Sequence, residues 1–154
     1  TFKKKNYLAS LSECTVGATK SKIREIKFPI FAKFKPNQMS RVFIVNDEIL
    51  LPGDSPLDIE KKWREQISER NQIRILVLGH NGSRTSTSPM TLKMLPNIKA
   101  ALASSNPKKY GHPHPQVLEH LKKSQVPIIK TVSWNSLHYL LTPARPKTGD
   151  TTKH

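Results

Sequence analysis

The six residues Ile73-Arg-Ile-Leu-Val-Leu78 constrain this chain more than any other stretch. Five of the six are apolar, and the run is too short for a helix of ordinary length. It reads as a strand buried on both faces, the pattern of a parallel strand flanked by helices. The run stops at Gly79. His80-Asn81-Gly82-Ser83-Arg84-Thr85-Ser86-Thr87-Ser88 follows, dense in hydroxyls and small residues. Ser88 then caps a short helix with Pro89 at its first position. A strand, a polar loop and a helix start in that order deliver one imidazole to a strand's carboxyl end, where open α/β sheets bind ligands. The same residues also make an ordinary strand–turn–helix connection with an incidental histidine.

The neighbouring segments fit a layered α/β domain. Residues 1–22 are rich in lysine among Ser, Thr and Gly and read as strand or loop. Ile26, Phe28, Ile30, Ala32 and Phe34 alternate with Lys27, Pro29, Phe31, Lys33 and Lys35, which predicts a strand with one buried face and Pro29 at an edge. Arg41–Val45 and Glu48–Leu51 flank Asn46-Asp47, the signature of a tight hairpin. Pro52-Gly53-Asp54-Ser55-Pro56 leads into a helix with Ser55 as its cap, Pro56 first and Asp58 third. Ile59, Trp63 and Ile67 give it one apolar stripe, while Lys61, Lys62, Glu65 and Glu69 look solvated. After the 89–95 helix, Ile98–Ala103 is a strand and 104–115 a long polar loop. Gln116–Ser124 is a helix. Pro127–Val132 and Leu137–Leu141 are two last strands joined around Asn135. Strands alternating with three short helices predict an α/β fold built on a mixed sheet.

Charge narrows the partners. Residues 1–35 carry nine Lys/Arg and two acids, residues 36–70 five and seven, and residues 71–154 twelve and two. The net +15 therefore sits at both ends, around an acidic island. Such a surface favours polyanions such as nucleic acid through phosphate contacts and counterion release, with a merely soluble basic surface or anionic lipid as equal alternatives. The single Cys14 excludes an internal disulfide and a cysteine-cluster metal site. No run approaches the ~18 apolar residues needed to cross a membrane. Thr1–Asn6 does not read as a signal peptide, and a chain opening on threonine is expected to be a piece of something longer.

Three loops each follow a strand and precede a helix, so all three can share one sheet edge. They bring Asp54, His80, and His112 with His114. Carboxylate and imidazole are donors that zinc and manganese accept. Each has a plain alternative: Gly-Asp-Ser-Pro is a good helix start, and His-Pro-His-Pro is a rigid loop. Ser83, Arg84 and Ser86 offer hydroxyls and a guanidinium to an anion near a helix start.

Four motifs stand in order: Pro-Asn-Gln-Met-Ser (36–40), Leu-Leu-Pro-Gly-Asp (50–54), Leu-Gly-His-Asn-Gly-Ser-Arg-Thr-Ser (78–86) and Tyr-Gly-His-Pro (110–113). Together they resemble the second half of the metallo-β-lactamase-like domain of the ComEC competence family, over about residues 36–141. The resemblance implies the C-terminal half of an αββα sandwich. Residues 1–142 would form a partial domain of that kind, and 143–154 a flexible basic tail. It implies Asp54 and His80 as metal ligands for zinc or manganese, His112 beside them as a catalytic residue, and Asn37 and Ser40 among the groups that bind substrate. It further implies a soluble domain on the outer face of a bacterial inner-membrane protein, attached to that protein's channel portion and acting on incoming DNA as a metal-dependent phosphodiesterase. Two positions depart from the family pattern: Asn81 replaces a second histidine, and Gln38 a second asparagine. The His-x-His-x-Asp-His motif that supplies most ligands is expected upstream of Thr1. Two other readings stay open, a catalytically inert module binding DNA or a channel partner, and a related hydrolase of a small substrate.

Overall fold

The computed structural model describes residues 13–16, 19–29 and 33–134. Seven strands lie side by side in chain order: β1 (Glu13–Val16), β2 (Thr19–Ile26), β3 (Val42–Val45), β4 (Ile49–Leu51), β5 (Ile75–Val77), β6 (Ala100–Ala103) and β7 (Ile128–Lys130). The first three pairings are antiparallel and the last three parallel. Five helices accompany them: α1 (Leu57–Glu65), α2 (Pro89–Met94), α3 (Pro107–Tyr110), α4 (Pro115–Lys123) and α5 (Thr131–Trp134). The fold is α/β on a mixed sheet. Two of the helices, α3 and α5, are single turns beyond the three expected.

The hairpin forms where the sequence puts it. Asn46 and Asp47 both take positive φ (49° and 59°), the backbone that a two-residue turn needs to match strand twist. The Asn46 side chain accepts a hydrogen bond from Lys22 N at 2.6 Å, tying the turn to β2. Across the sheet, Ile44, Leu50, Leu76 and Ala101 are successive partners and all fully buried. They cluster with Ile59, Trp63 and Ile67, with Leu92 and Leu95, and with Val117 and Leu121 from the helical layer. Parallel neighbours require crossovers, and the helices that make them cover this face. The opposite face carries Phe43, Val45, Ile49, Leu51, Val77, Leu102 and Ile129, all half-buried and outside that cluster. The expectation that 73–78 is buried on both faces thus holds for Ile75 and Leu76 but not for Val77.

Five local expectations are corrected. The strand expected from Ile26 to Phe34 lies earlier, over Thr19–Ile26; Lys27–Pro29 has left the ladder, as a proline without an N–H favours. Ser55 does not cap α1, which starts at Leu57 with Pro56 at the cap; its hydroxyl instead accepts from the buried Trp63 Nε1 at 2.9 Å. Glu69 is not simply solvated, since it pairs with Arg24. The strand expected to reach Val132 ends at Lys130, where α5 begins. The polar loop 104–115 contains α3, capped by Asn106. The expected strand 137–141 and the tail 143–154 lie outside the described residues.

One ion pair predicts a pH dependence. Arg41 donates to both oxygens of Glu25 at 2.7 and 2.5 Å, and Lys27 adds a third contact at 2.6 Å. Chiefly through the Arg41 hydrogen bonds, and despite some burial, the Glu25 carboxyl is pulled down to about 2. Unfolded, it titrates near its ordinary value of 4.5. The unfolded chain therefore binds the extra proton between these values. The stabilisation is present above the unfolded value and is lost as pH falls towards about 2. After solvent screening it amounts to about 1 kcal/mol. Urea unfolding of the parent chain and Arg41→Ala at pH values on either side of this window should show the parent losing more stability. Equal losses would remove the pair as the cause.

Candidate functional site

Because β4, β5 and β6 run parallel, the segments that follow them, 52–56, 78–88 and 104–114, emerge at one carboxyl edge. Backbone and hydroxyl bonds lace them together. His80 N donates to Gly53 O at 2.9 Å, Leu57 N to Thr85 O at 2.9 Å, and His114 N to Gly82 O at 2.8 Å. The Ser86 hydroxyl donates to Ser55 O at 2.8 Å. The His80 loop is thereby held from both sides.

Within that loop, Gly79–Gly82 makes a single tight turn in which His80 (φ 46°, ψ 47°) and Asn81 (φ 55°, ψ 23°) are both left-handed. Consecutive non-glycine residues in this region store strain, and such strain concentrates at functional sites. Gly79 allows the turn to close, since a Cβ there would lie 3.0 Å from Ser86 Cβ. Its N–H donates to the Thr87 hydroxyl at 3.0 Å.

The turn aims His80 at His112. Their ring centroids are 6.0 Å apart, with the planes tilted by 60°. The Nδ1 atoms of both rings are buried and have no hydrogen-bond partner. A buried polar atom left without a partner calls for an explanation, and an absent ligand is one. His112 is anchored through its carbonyl, which accepts from the Ser105 hydroxyl at 2.9 Å.

The other expected residues fall around this pair. Asp54 is exposed on the turn after β4, next to Gly53, whose carbonyl binds His80 N. Ser40 packs on Gly53: a Cβ at Gly53 would lie 3.4 Å from Ser40 Cβ. Asn37 is exposed at the turn Pro36–Met39, where its carbonyl accepts from Ser40 N at 3.2 Å. Gln38 bridges that turn to α1 by donating to Asp58 at 2.6 Å. Ser83 is buried and its hydroxyl engages Thr85 at 3.0 Å, and Ser86 is buried on its bond to Ser55. Arg84 is exposed on the same loop. His114 stands apart from the pair and caps α4, accepting from Gln116 N at 3.2 Å. Among the described residues, no set of three or more His, Cys, Asp or Glu is gathered where a metal ion would bind.

Glu60 escaped the sequence reading. It is fully buried and accepts from Ser88 N, the Ser88 hydroxyl and the Thr91 hydroxyl. It thereby fixes the far end of the His80 loop to α1. Its one sequence signal was a carboxylate adjoining the Ile59 stripe position.

Comparison with known proteins finds one informative similarity. The chain is 25% identical over 85 residues to ComE operon protein 3 of Bacillus subtilis (strain 168), a match that takes in 53% of this chain and 11% of that protein. No family model matches the chain, and no solved structure matches it. No helix among the described residues is long and apolar enough to cross a membrane. This chain thus corresponds to about a tenth of the length of the curated relative that it resembles.

Proposed function

We propose that this chain belongs to a ComEC-like protein of DNA uptake and contributes one half of a metal-dependent phosphodiesterase site on incoming DNA. The observation that carries this reading is the pair His80 and His112, facing each other across 6.0 Å with both buried Nδ1 atoms unpartnered. The similarity to ComE operon protein 3 and the basic termini support it.

Imidazole nitrogens and a carboxylate suit zinc or manganese. In this reading His80 and Asp54 would be among the residues that hold the ion. A catalytic zinc takes three protein ligands, and the described residues do not gather three donors. The remaining ligands would come from beyond the described residues. The ion would supply Lewis-acid stabilisation of charge on a phosphoryl oxygen. His112 Nδ1 would accept the proton of the water that attacks the phosphorus, with the 3′ or 5′ oxygen as leaving group; Arg84 would bind a neighbouring phosphate, and Ser83 and Ser86 keep the loop in shape. The domain stands beside the channel portion of the same protein, on the outer face of the membrane.

A second reading, DNA binding without cleavage, is favoured by Asn81 at the position of the family's second histidine and by the missing third donor. Calorimetric titration with Mn2+ or Zn2+, together with cleavage of a labelled DNA strand in Mn2+, separates the two. The catalytic reading expects His80→Ala to weaken metal binding by about tenfold or more, at least the loss that follows removal of an outer partner of a metal ligand. Metal binding equal in parent and variant, with no cleavage, leaves the binding module alone. DNA affinity that does not fall with added salt would exclude the basic surface from both.

A further inference from the structure

We propose that the cavity beside Tyr110 is a nucleobase subsite, a reading that rests on nucleic acid being the partner. The cavity opens widely to solvent and holds about 370 Å3, within the size range of small-ligand sites. It is lined by Tyr110 and Val132 and by the neutral polar groups of Asn81, Ser104, Asn106 and Thr131. Among the described residues no charged side chain lines it, and neutral groups of this kind suit a base better than a phosphate. An aromatic ring beside amides and hydroxyls suits the face and edge of a heteroaromatic base.

Tyr110 is 58% exposed at the end of α3, which leaves much of its ring open to a ligand. Lys109 Nζ sits 5.0 Å from its ring centroid, and Lys108 is exposed one residue earlier. An aromatic platform with cations at its border is the common arrangement for single-stranded nucleic acid: the ring stacks a base and the lysines meet the backbone. Asn106 is set by the chain itself. Its Oδ1 accepts from Lys108 N at 3.1 Å and Lys109 N at 3.3 Å, which leaves its Nδ2 for a base acceptor.

The cavity also adjoins the histidine pair. Asn81 follows His80, and Ser105, at the cavity's rim, donates to the His112 carbonyl. A base seated on Tyr110 would hold its own phosphodiester towards His80 and His112. The subsite thus sets which phosphate in a strand is presented, while accepting any base.

The test compares two labelled oligonucleotides of equal length by fluorescence anisotropy at one low salt concentration, an oligothymidylate and an abasic strand with the same phosphates. The readout is the ratio of their affinities. Stacking of one base predicts a ratio of about tenfold in favour of the oligothymidylate. Tyr110→Ala should bring that ratio to about one, and Tyr110→Phe, which keeps the ring, should preserve it. A ratio of one in the parent chain, or a preference that survives Tyr110→Ala, overturns the subsite and leaves nucleic-acid binding standing. Failure of both strands to bind overturns the subsite and the nucleic-acid reading together.

Discussion

Glu60→Ala should destabilise the chain by about 3–5 kcal/mol, the range for breaking a buried charged network. The carboxylate is fully buried between α1 and the start of α2. Three donors converge on it: Ser88 N, at 3.0 and 3.2 Å from its two oxygens, and the Ser88 and Thr91 hydroxyls. All three lie in the first turn of α2, where the helix dipole also favours negative charge. Alanine would leave these donors unpaired and open a void beside Ile59 and Trp63. Glu60→Gln keeps the volume but turns an NH2 group towards donors, so an intermediate loss of about 2 kcal/mol is expected. Urea denaturation followed by circular dichroism measures both. A loss below about 1 kcal/mol in Glu60→Ala would show that water replaces the carboxylate at little cost.

Gly82→Ala should act on stability and on the site at once. Gly82 has φ +85°, and a Cβ there would lie 2.8 Å from Pro113 Cβ and 3.0 Å from Pro113 Cα. The left-handed backbone alone costs about 1–2 kcal/mol with a side chain. The collision adds more, because Pro113 is buried and His114 N bonds the Gly82 carbonyl. A total of about 2–4 kcal/mol follows. Relief requires the segments carrying His80 and His112 to part, so on the proposed metal-site reading metal affinity should fall with stability. Gly111→Ala is the control: its φ is +64°, yet nothing lies within 4 Å of its would-be Cβ. It should show the backbone cost alone and leave the histidine pair together. Equal effects of the two substitutions would mean that contact with Pro113 does not set the loop.

Elements whose signals are local were legible in the sequence. Asn46-Asp47 supplies its own turn, and Ser88-Pro89 its own helix start, with the Ser88 hydroxyl accepting from Thr91 N at 3.2 Å. Asn106-Pro107 carries the same kind of signal for α3, inside a segment whose composition otherwise reads as a polar loop. β2 was illegible for a different reason. Thr-Lys-Ser-Lys-Ile-Arg-Glu-Ile looks too polar for a strand between two others. Its charges are matched by remote partners, Lys22 with Asp47, Arg24 with Glu69 and Glu25 with Arg41. No local window contains those partners. Ser55 misled because a serine before a proline resembles a cap, whereas its hydroxyl serves Trp63 eight residues on.

The site divides in the same way. The three loops at one edge follow from element order alone. The approach of His80 to His112 does not, because it depends on the parallel pairing of β5 with β6, which sets Leu76 against Ala101. The left-handed turn at His80 is legible only in part: histidine and asparagine tolerate positive φ better than most side chains, but they do not require it, and no hairpin flanks them as strands flank Asn46-Asp47.

The half-buried residues Phe43, Val45, Leu51, Val77 and Leu102 give the chain a thermodynamic character of its own. Its sheet is apolar on both sides, yet the helices among the described residues cluster with one. Each square ångström of that second face withdrawn from water would add roughly 25 cal/mol. A binder that covers only the folded sheet raises the melting temperature by mass action. The unfolding midpoint of this chain is therefore a floor, and the same residues gain heat resistance from whatever closes over Phe43 and Leu51.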